Sequence, residues 1–308
     1  MSLDAVHGRE RGVTSSASAA DARFEEQRGL LFGVAYRVLG SVGDAEDVVQ
    51  EAWLRWSSAD RDDVRDPRAF LVTTTTRLAL NALRARRNRR EQYVGPWLPE
   101  PLLTGVEGSD AAEHVLLEHD VSTALLVVLE SLSPLERVVF VLHDLFGFDH
   151  AEVAGALAKS EVAVRQLASR ARRHVRDRRP RFETTAEEHA RVTSEFMRVA
   201  TSGDVDGLLS VMAPDVVLFT DGGGALKAAL RPIHGSGKSA RFLAAISHDG
   251  PPDATSTVTE LNGRPGVVIF TRGEPFATVD LDVEGGLITA IRIQLNPAKL
   301  RGVRPSGD

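Results

Sequence analysis

From Phe24 to about Arg90 the apolar residues recur with a helical period. Leu30, Leu31, Val34, Ala35, Val38 and Leu39 line one stripe, and Val49, Ala52, Trp53 and Trp56 repeat the i, i+3, i+4, i+7 spacing of an inward face. Asp66 ahead of Pro67 predicts an N-cap with Pro at the first helical position, opening a third helix through Phe70, Leu71, Thr74 and Leu78. The period breaks at VGPWLPEPLLTGVEGSD (94–110), whose three Pro and three Gly predict an extended linker. Beyond it Ser133, Pro134 and Glu136 spell a capping box ahead of Leu135, Val138, Val139 and Leu142, with Gly147 placed to end that helix. Asp149 with Glu152, and then Ser160, open two further short helices. These run through Val153, Ala154 and Leu157, and through Val164, Leu167, Ala168 and Ala171, the layout of a helix-turn-helix.

Past Pro180 the pattern changes. Helical segments near 187–200 and 204–212 precede β-branched or alternating runs at 216–220, 255–261, 266–271, 276–283 and 287–295. Asn262-Gly263 and Glu284-Gly285-Gly286 supply turns between them. Helices first and an antiparallel sheet after predict an α+β domain distinct from the helical part. The stretch PIHGSGKS (232–239) has the look of a phosphate loop, but Pro232 stands where a Gly with a phosphate-facing N–H is needed, so we expect Gly235 to Ser239 to open a helix instead.

Charge sharpens this picture. The chain is net −6, yet Arg165 to Arg181 holds eight Arg against the single acid Asp177, and Arg77 to Arg90 holds six Arg and no acid. A polyanion meets such concentrated faces before it meets the net charge. With Val164, Leu167, Ala168 and Ala171 turned inward, Arg165, Gln166, Ser169, Arg170, Arg172 and Arg173 point to solvent. Arg forks to guanine and Gln to adenine in a major groove, and Ser and further Arg hold phosphates. On DAEDVVQEAW, Asp44, Asp47 and Glu51 lie at i, i+3, i+7 with Glu46 and Gln50 beside them. That ridge repels phosphate and suits a basic protein partner. Zero Cys excludes disulfides and thiolate chemistry, and no apolar run approaches the ~20 residues of a membrane span. We therefore expect a cytoplasmic protein without a metal or cofactor.

LSPLERVVFVLHDLFGFDHAEVAGALAKSEVAVRQLASRARRHV resembles region 4 of an extracytoplasmic-function RNA polymerase sigma factor, and LFGVAYRVLGSVGDAEDVVQEAWLRW resembles its region 2. The resemblance implies an alternative sigma factor. Asp44, Glu46, Asp47, Gln50 and Glu51 would dock on the clamp of the polymerase β′ subunit, with the β flap as a further contact. Thr73, Thr76, Arg77, Asn81, Arg84, Arg86 and Arg87 would serve the opened minus-ten element. Ser160 and the Arg-rich face of the second helix of the pair would serve the minus-thirty-five element.

The third domain resembles a SnoaL-type, NTF2-like cone, and one sigma subfamily carries such a domain to tune its activity in cis. The marks of that subfamily are here as WLPEPL (Trp97, Leu98, Pro99, Glu100, Pro101, Leu102), the turn Asp221, Gly222, Gly223, Gly224 with Lys227 following, and NPAKL from Asn296 and Pro297. The resemblance implies that the glycine turn packs against the linker, with Trp97 and Leu98 as anchors, and the pocket leaves room for a small ligand as a further partner. The implied organisation is multidomain: a disordered tail (1–22), region 2 (23–93), linker (94–112), region 4 (113–180), and a SnoaL-like domain (181–308). Two rivals stay open at this point. One is a free-standing helix-turn-helix regulator with a ligand-sensing domain. The other is an enzyme using Asp215, Asp221, His234 or His248; the first reading includes no covalent chemistry.

Overall fold

A computed structural model describes residues 7–59, 64–90, 93–104, 122–177 and 184–303. By contacts the chain divides into two compact units that do not follow chain order. The first gathers Met1–Leu39, Gly43–Ala85 and Leu132–Arg172, and the second gathers Gly40–Val42, Arg86–Ser131 and Arg173–Asp308.

The first unit is helical. Helix α1 spans His7–Leu39, α2 spans Val42–Ser58 and α3 spans Pro67–Arg90. The helix begins at His7, ahead of the expected boundary at residue 23, and continues into the apolar stripe of Leu31, Val34, Ala35 and Val38. Ala69 N–H donates to Asp66 Oδ1 at 3.1 Å, making the expected N-cap of α3.

After α4 (Thr123–Glu130), α5 spans Pro134–Phe140 and runs on into a π-helical turn, Val141–Leu145; α6 spans His150–Leu157 and α7 spans Glu161–Arg176. Both predicted capping boxes form, Ser133 with Glu136 and Asp149 with Glu152. Ser160 Oγ accepts from Ala163 N–H at 3.3 Å to start α7. Each cap is worth about 1 kcal/mol. Together they fix where the helix-turn-helix begins and turns. Trp53, expected in the inward stripe of α2, is 38% exposed, because Val49, Ala52 and Trp56 already fill that stripe.

In the second unit α8 (Ala186–Ser202), α9 (Val205–Val211) and α10 (Ser236–His248) pack on one face of a six-stranded sheet. Its strands are β1 (Met212–Asp221), β2 (Ile233–His234), β3 (Thr255–Leu261), β4 (Arg264–Thr271), β5 (Glu274–Glu284) and β6 (Leu287–Gln294). Their order is β2-β1-β6-β5-β4-β3, with β1 parallel to β6 and the other neighbours antiparallel. This is the α+β architecture expected, with one parallel pair added because the helix-containing stretch after β1 lets β6 return beside it. The register of β5 against β6 pairs Val279 with Ile293 and Leu281 with Ile291, all in the apolar core. The alternate pairs, Thr278 with Gln294 and Asp280 with Arg292, turn to the opposite face. That second, polar face is where the linker lies.

Candidate nucleic-acid interface and linker strap

The turn between α6 and α7 is closed by Lys159 N–H on Ala154 O at 2.9 Å, with Ala158 in the left-handed region at φ 52°. Along α7, Val164, Ala168 and Ala171 are buried, while Arg165, Gln166, Ser169, Arg170, Arg172 and Arg173 are exposed, as the sequence predicts. Arg165 pairs with Glu161 at 2.6 Å on the same helix. Arg172 pairs with Asp144 of the π-helical turn, so one of the predicted DNA cations braces α7 against the preceding element. Arg178, Arg179 and Arg181 lie outside the described residues.

Helix α2 presents Asp47 and Gln50 exposed, with Asp44, Glu46 and Glu51 half-buried along the same ridge. Glu46 meets Arg28 at 3.5 Å and Glu51 meets Arg55 at 3.0 Å. Trp53 and Leu54, 38% and 48% exposed, make an apolar shoulder beside the acids.

The minus-ten set is divided by the structure. Asn81 and Arg84 are exposed and Thr73 is half-buried. Thr76 is corrected: it is fully buried, because Val72, Thr76, Ala79, Leu80 and Leu83 form the inward stripe of α3. Arg77 Nε donates to Ala156 O at 2.9 Å and its Nη2 to Gly155 O at 3.4 Å. Those carbonyls end α6, where a cation meets the negative end of the helix dipole. Arg86 lies 4.8 Å over the Trp97 ring, within the linker site rather than apart from it. The Arg87 side chain, and residues 60–63 of the loop before α3, lie outside the described residues.

Further contacts join α3 and α1 to the helix-turn-helix side of this unit. Arg137, 2% exposed, donates to Val38 O at 2.9 Å. Arg37 stands 4.6 Å over the Phe146 ring, and Arg68 stands 5.4 Å over Phe148. Burial holds both the Arg37 and the Arg137 guanidinium below the ordinary arginine range.

The linker forms a strap across the polar face of the sheet, centred on Asp221 at the end of β1. Asp221 is fully buried. Its Oδ1 accepts from the Tyr93 hydroxyl at 2.5 Å and from Gly223 N–H at 3.0 Å. Its Oδ2 accepts from Leu98 N–H at 2.8 Å, Lys299 Nζ at 2.7 Å and Gln294 Nε2 at 3.4 Å. Lys299 Nζ also donates to Leu98 O at 2.6 Å and stands 4.2 Å over the Trp97 ring. Asn296 Nδ2 donates to the Tyr93 hydroxyl at 3.0 Å. Burial, and then the bond to Asp221, raises the Tyr93 pKa and keeps its hydroxyl a donor.

Farther along the strap, Glu100 accepts from Val42 N–H at 2.8 Å and Ser41 Oγ at 3.1 Å. Leu102 and Asn262 exchange bonds of 3.2 and 2.8 Å, and Leu103 bridges Leu261. Pro99 and Pro101 wall a cleft with Thr278, Asp280, Arg292 and Gln294, with room for about one water molecule. Two glycines permit the close approach. A Cβ on Gly223 (φ 58°) would collide with Asn296, and one on Gly40 (φ 65°) would stand 2.8 Å from Trp97.

Comparison with known proteins accounts for this combination. The family model of Sigma-70 region 2 matches residues 24–89, and that of Sigma-70, region 4 matches residues 122–175. ECF RNA polymerase sigma factor SigJ of Mycobacterium tuberculosis is 40% identical over 290 residues, 91% of this chain and 92% of the relative. This chain belongs to the extracytoplasmic-function RNA polymerase sigma factor family. A probable family member from the same organism, SigI, is 32% identical over 94% of this chain and 98% of its own length. The crystal structure of SigJ superposes with a TM-score of 0.74 at 38% identity, covering 93% of this chain and 99% of that one.

In this sigma factor the expected linker contacts of Trp97, Leu98, Glu100, Leu102, Asp221, Gly223 and Asn296 come together, and Pro297 opens the short 3₁₀ turn Pro297–Lys299 behind them. Lys227 is exposed, and the cation at Asp221 is Lys299, because Lys227 follows a turn that carries the chain outward to solvent. Tyr93, Gln294 and Lys299 were not anticipated. Lys299 was legible in principle, as the Lys of NPAKL itself. The rival catalytic residues are not assembled: Asp215, His234 and His248 are exposed, and Asp221 is buried under the strap. Among the described residues no helix is long and apolar enough to cross a membrane, and no cluster of His, Asp and Glu is arranged to hold a metal ion.

Proposed function

We propose that this chain assembles with core RNA polymerase and directs it to promoters, and that its C-terminal α+β domain tunes that activity in cis through the strap. The observation that carries the reading is the pairing, in one chain, of a capped helix-turn-helix with an exposed Arg and Gln face and an acidic helix with an apolar shoulder. The first suits duplex DNA and the second a basic protein surface. Asp44, Glu46, Asp47, Gln50 and Glu51, flanked by Trp53 and Leu54, meet the β′ clamp, with the β flap as the partner of the helix-turn-helix unit. Asn81, Arg84 and Arg87 serve the opened minus-ten strand. Arg165, Gln166, Ser169, Arg170 and Arg173 read and hold the minus-thirty-five element. The strap, which is the linker joining regions 2 and 4, couples them to the α+β domain. The chain acts by binding, with no covalent step of its own, in the cytoplasm.

The test is charge reversal on α2. Asp47→Lys with Glu51→Lys is expected to abolish co-purification with core polymerase while leaving the far-ultraviolet circular dichroism unchanged. The ion pair that Glu51 makes with Arg55 is exposed and contributes little. Undiminished retention on the polymerase would remove the docking claim.

A further inference from the structure

Val162 is 61% exposed, the most exposed large hydrophobic side chain of the helical unit among the described residues. It lies in the first turn of α7, whose inward stripe is filled by Val164, Ala168 and Ala171. A β-branched residue at an exposed helix position lowers helix propensity, and here it gains little burial in return. Fold stability therefore does not account for it. Its neighbours do. Arg165 and Gln166 lie three and four residues on, and Ser169 seven, so all four share one exposed stripe. Recognition helices set their N-terminal residues against base edges in the major groove. The apolar group displayed there is the C5 methyl of thymine.

We propose that Val162 reads a thymine methyl in the minus-thirty-five element, at a base pair adjoining those reached by Arg165 and Gln166. The assignment rests on the sigma-factor reading above. It makes Val162 a specificity determinant that adds sequence preference without adding a phosphate contact or a charge. Glu161, paired with Arg165 at 2.6 Å, keeps that guanidinium on the same turn as Val162, so a polar and an apolar reader are presented side by side.

The experiment uses holoenzyme assembled from the full chain and the core RNA polymerase of the organism that makes it. A promoter is selected from a library randomised over the minus-thirty-five element, and each thymine there is then replaced singly by uracil, which removes only the methyl group. One replacement is expected to lower initiation about fourfold, the worth of one buried CH₂-sized group. Val162→Ala is expected to lower initiation on the thymine promoter by a similar factor and to be indifferent to uracil at that position. An exposed Ala favours the helix, so this variant folds. Equal initiation with thymine and uracil at every position, a thymine preference that survives in V162A, or a selected element without a thymine on either strand would each overturn the assignment. Failure to initiate on any library promoter would instead overturn the sigma-factor reading.

Discussion

Removing the Asp221 carboxylate is the sharpest perturbation of the strap. In Asp221→Ala the Lys299 ammonium, 8% exposed, loses its carboxylate and keeps the Leu98 carbonyl and the Tyr93 and Trp97 rings. The buried Leu98 N–H loses its acceptor as well. Breaking a buried ion pair from one side costs about 3–5 kcal/mol, and an orphaned buried donor about 1–3 more. For a unit of this size each kcal/mol lowers Tm by roughly 2–4 °C, so a fall of about 10 °C or more is expected. Lys299→Met should cost less, because Asp221 keeps Tyr93, Gly223, Leu98 and Gln294. Asp221→Ala combined with Lys299→Met removes both partners, and its loss should fall short of the summed single losses by about 1–3 kcal/mol, as coupled neighbours do. Thermal unfolding by circular dichroism gives the energies. Chymotryptic cleavage after Trp97 reports the strap itself, since Leu98 beyond the scissile bond is 2% exposed while the strap is seated. A D221A chain with unchanged Tm and a protected Trp97–Leu98 bond would refute the hub.

Two further outcomes follow from the helical unit. Arg77→Ala removes two bonds to the end of α6, each worth about 1.5–3 kcal/mol at most for a charged donor, and should speed amide hydrogen exchange at Ala158 and Lys159; unchanged exchange would mean that the bonds are not made in solution. Partial burial, then the charges of His143, Arg165 and Arg172, holds the His150 imidazole below its ordinary value. As pH falls through about 6.5 the unfolded chain takes up this proton before the folded one does, so stability falls from there down to the folded value. His150→Gln should flatten that part of a stability-against-pH curve measured by urea unfolding, and an unaltered slope would assign the dependence elsewhere.

What was legible in the sequence was local. Caps are written within four residues, so Ser133 with Glu136, Asp149 with Glu152, and Asp66 ahead of Pro67 could be read directly and formed as read. Asn262-Gly263 and Gly285-Gly286 gave their turns because positive φ at both positions selects such pairs. The run Thr73 to Thr76 offers a helical stripe four chemically equal choices, so the reading through Thr74 gave no sign that Thr75 and Thr76 face inward while Arg77 faces α6. The π-helical turn was equally silent, since its apolar spacing resembles that of the helix it continues. The linker site was found through its motifs, but its chemistry was not. Tyr93 is 128 residues from Asp221 and Asn296 is 203 from Tyr93, separations over which no periodicity extends.

Arg77 has two incompatible uses. As part of the basic end of α3 it is expected on single-stranded DNA; in the structure its guanidinium completes the carbonyls at the end of α6. On the proposed function the two elements lie about 25 base pairs apart, roughly 85 Å at 3.4 Å per pair. Helices a hydrogen bond apart cannot present faces to both at once on extended duplex. On that same proposal, use of both faces on one promoter requires α3 and α6 to part. The composition of their surroundings keeps that separation within reach. Arg137 and Arg37 are charged groups taken out of water, and burial disfavours the charged form of both. Opening returns their hydration, which offsets much of what the bonds to Val38, Ala156 and Gly155 contribute. A purely apolar seam of the same extent would carry no such offset. Guanidiniums on carbonyls and aromatic rings therefore hold these helices together at a seam that opens at lower cost than an apolar one.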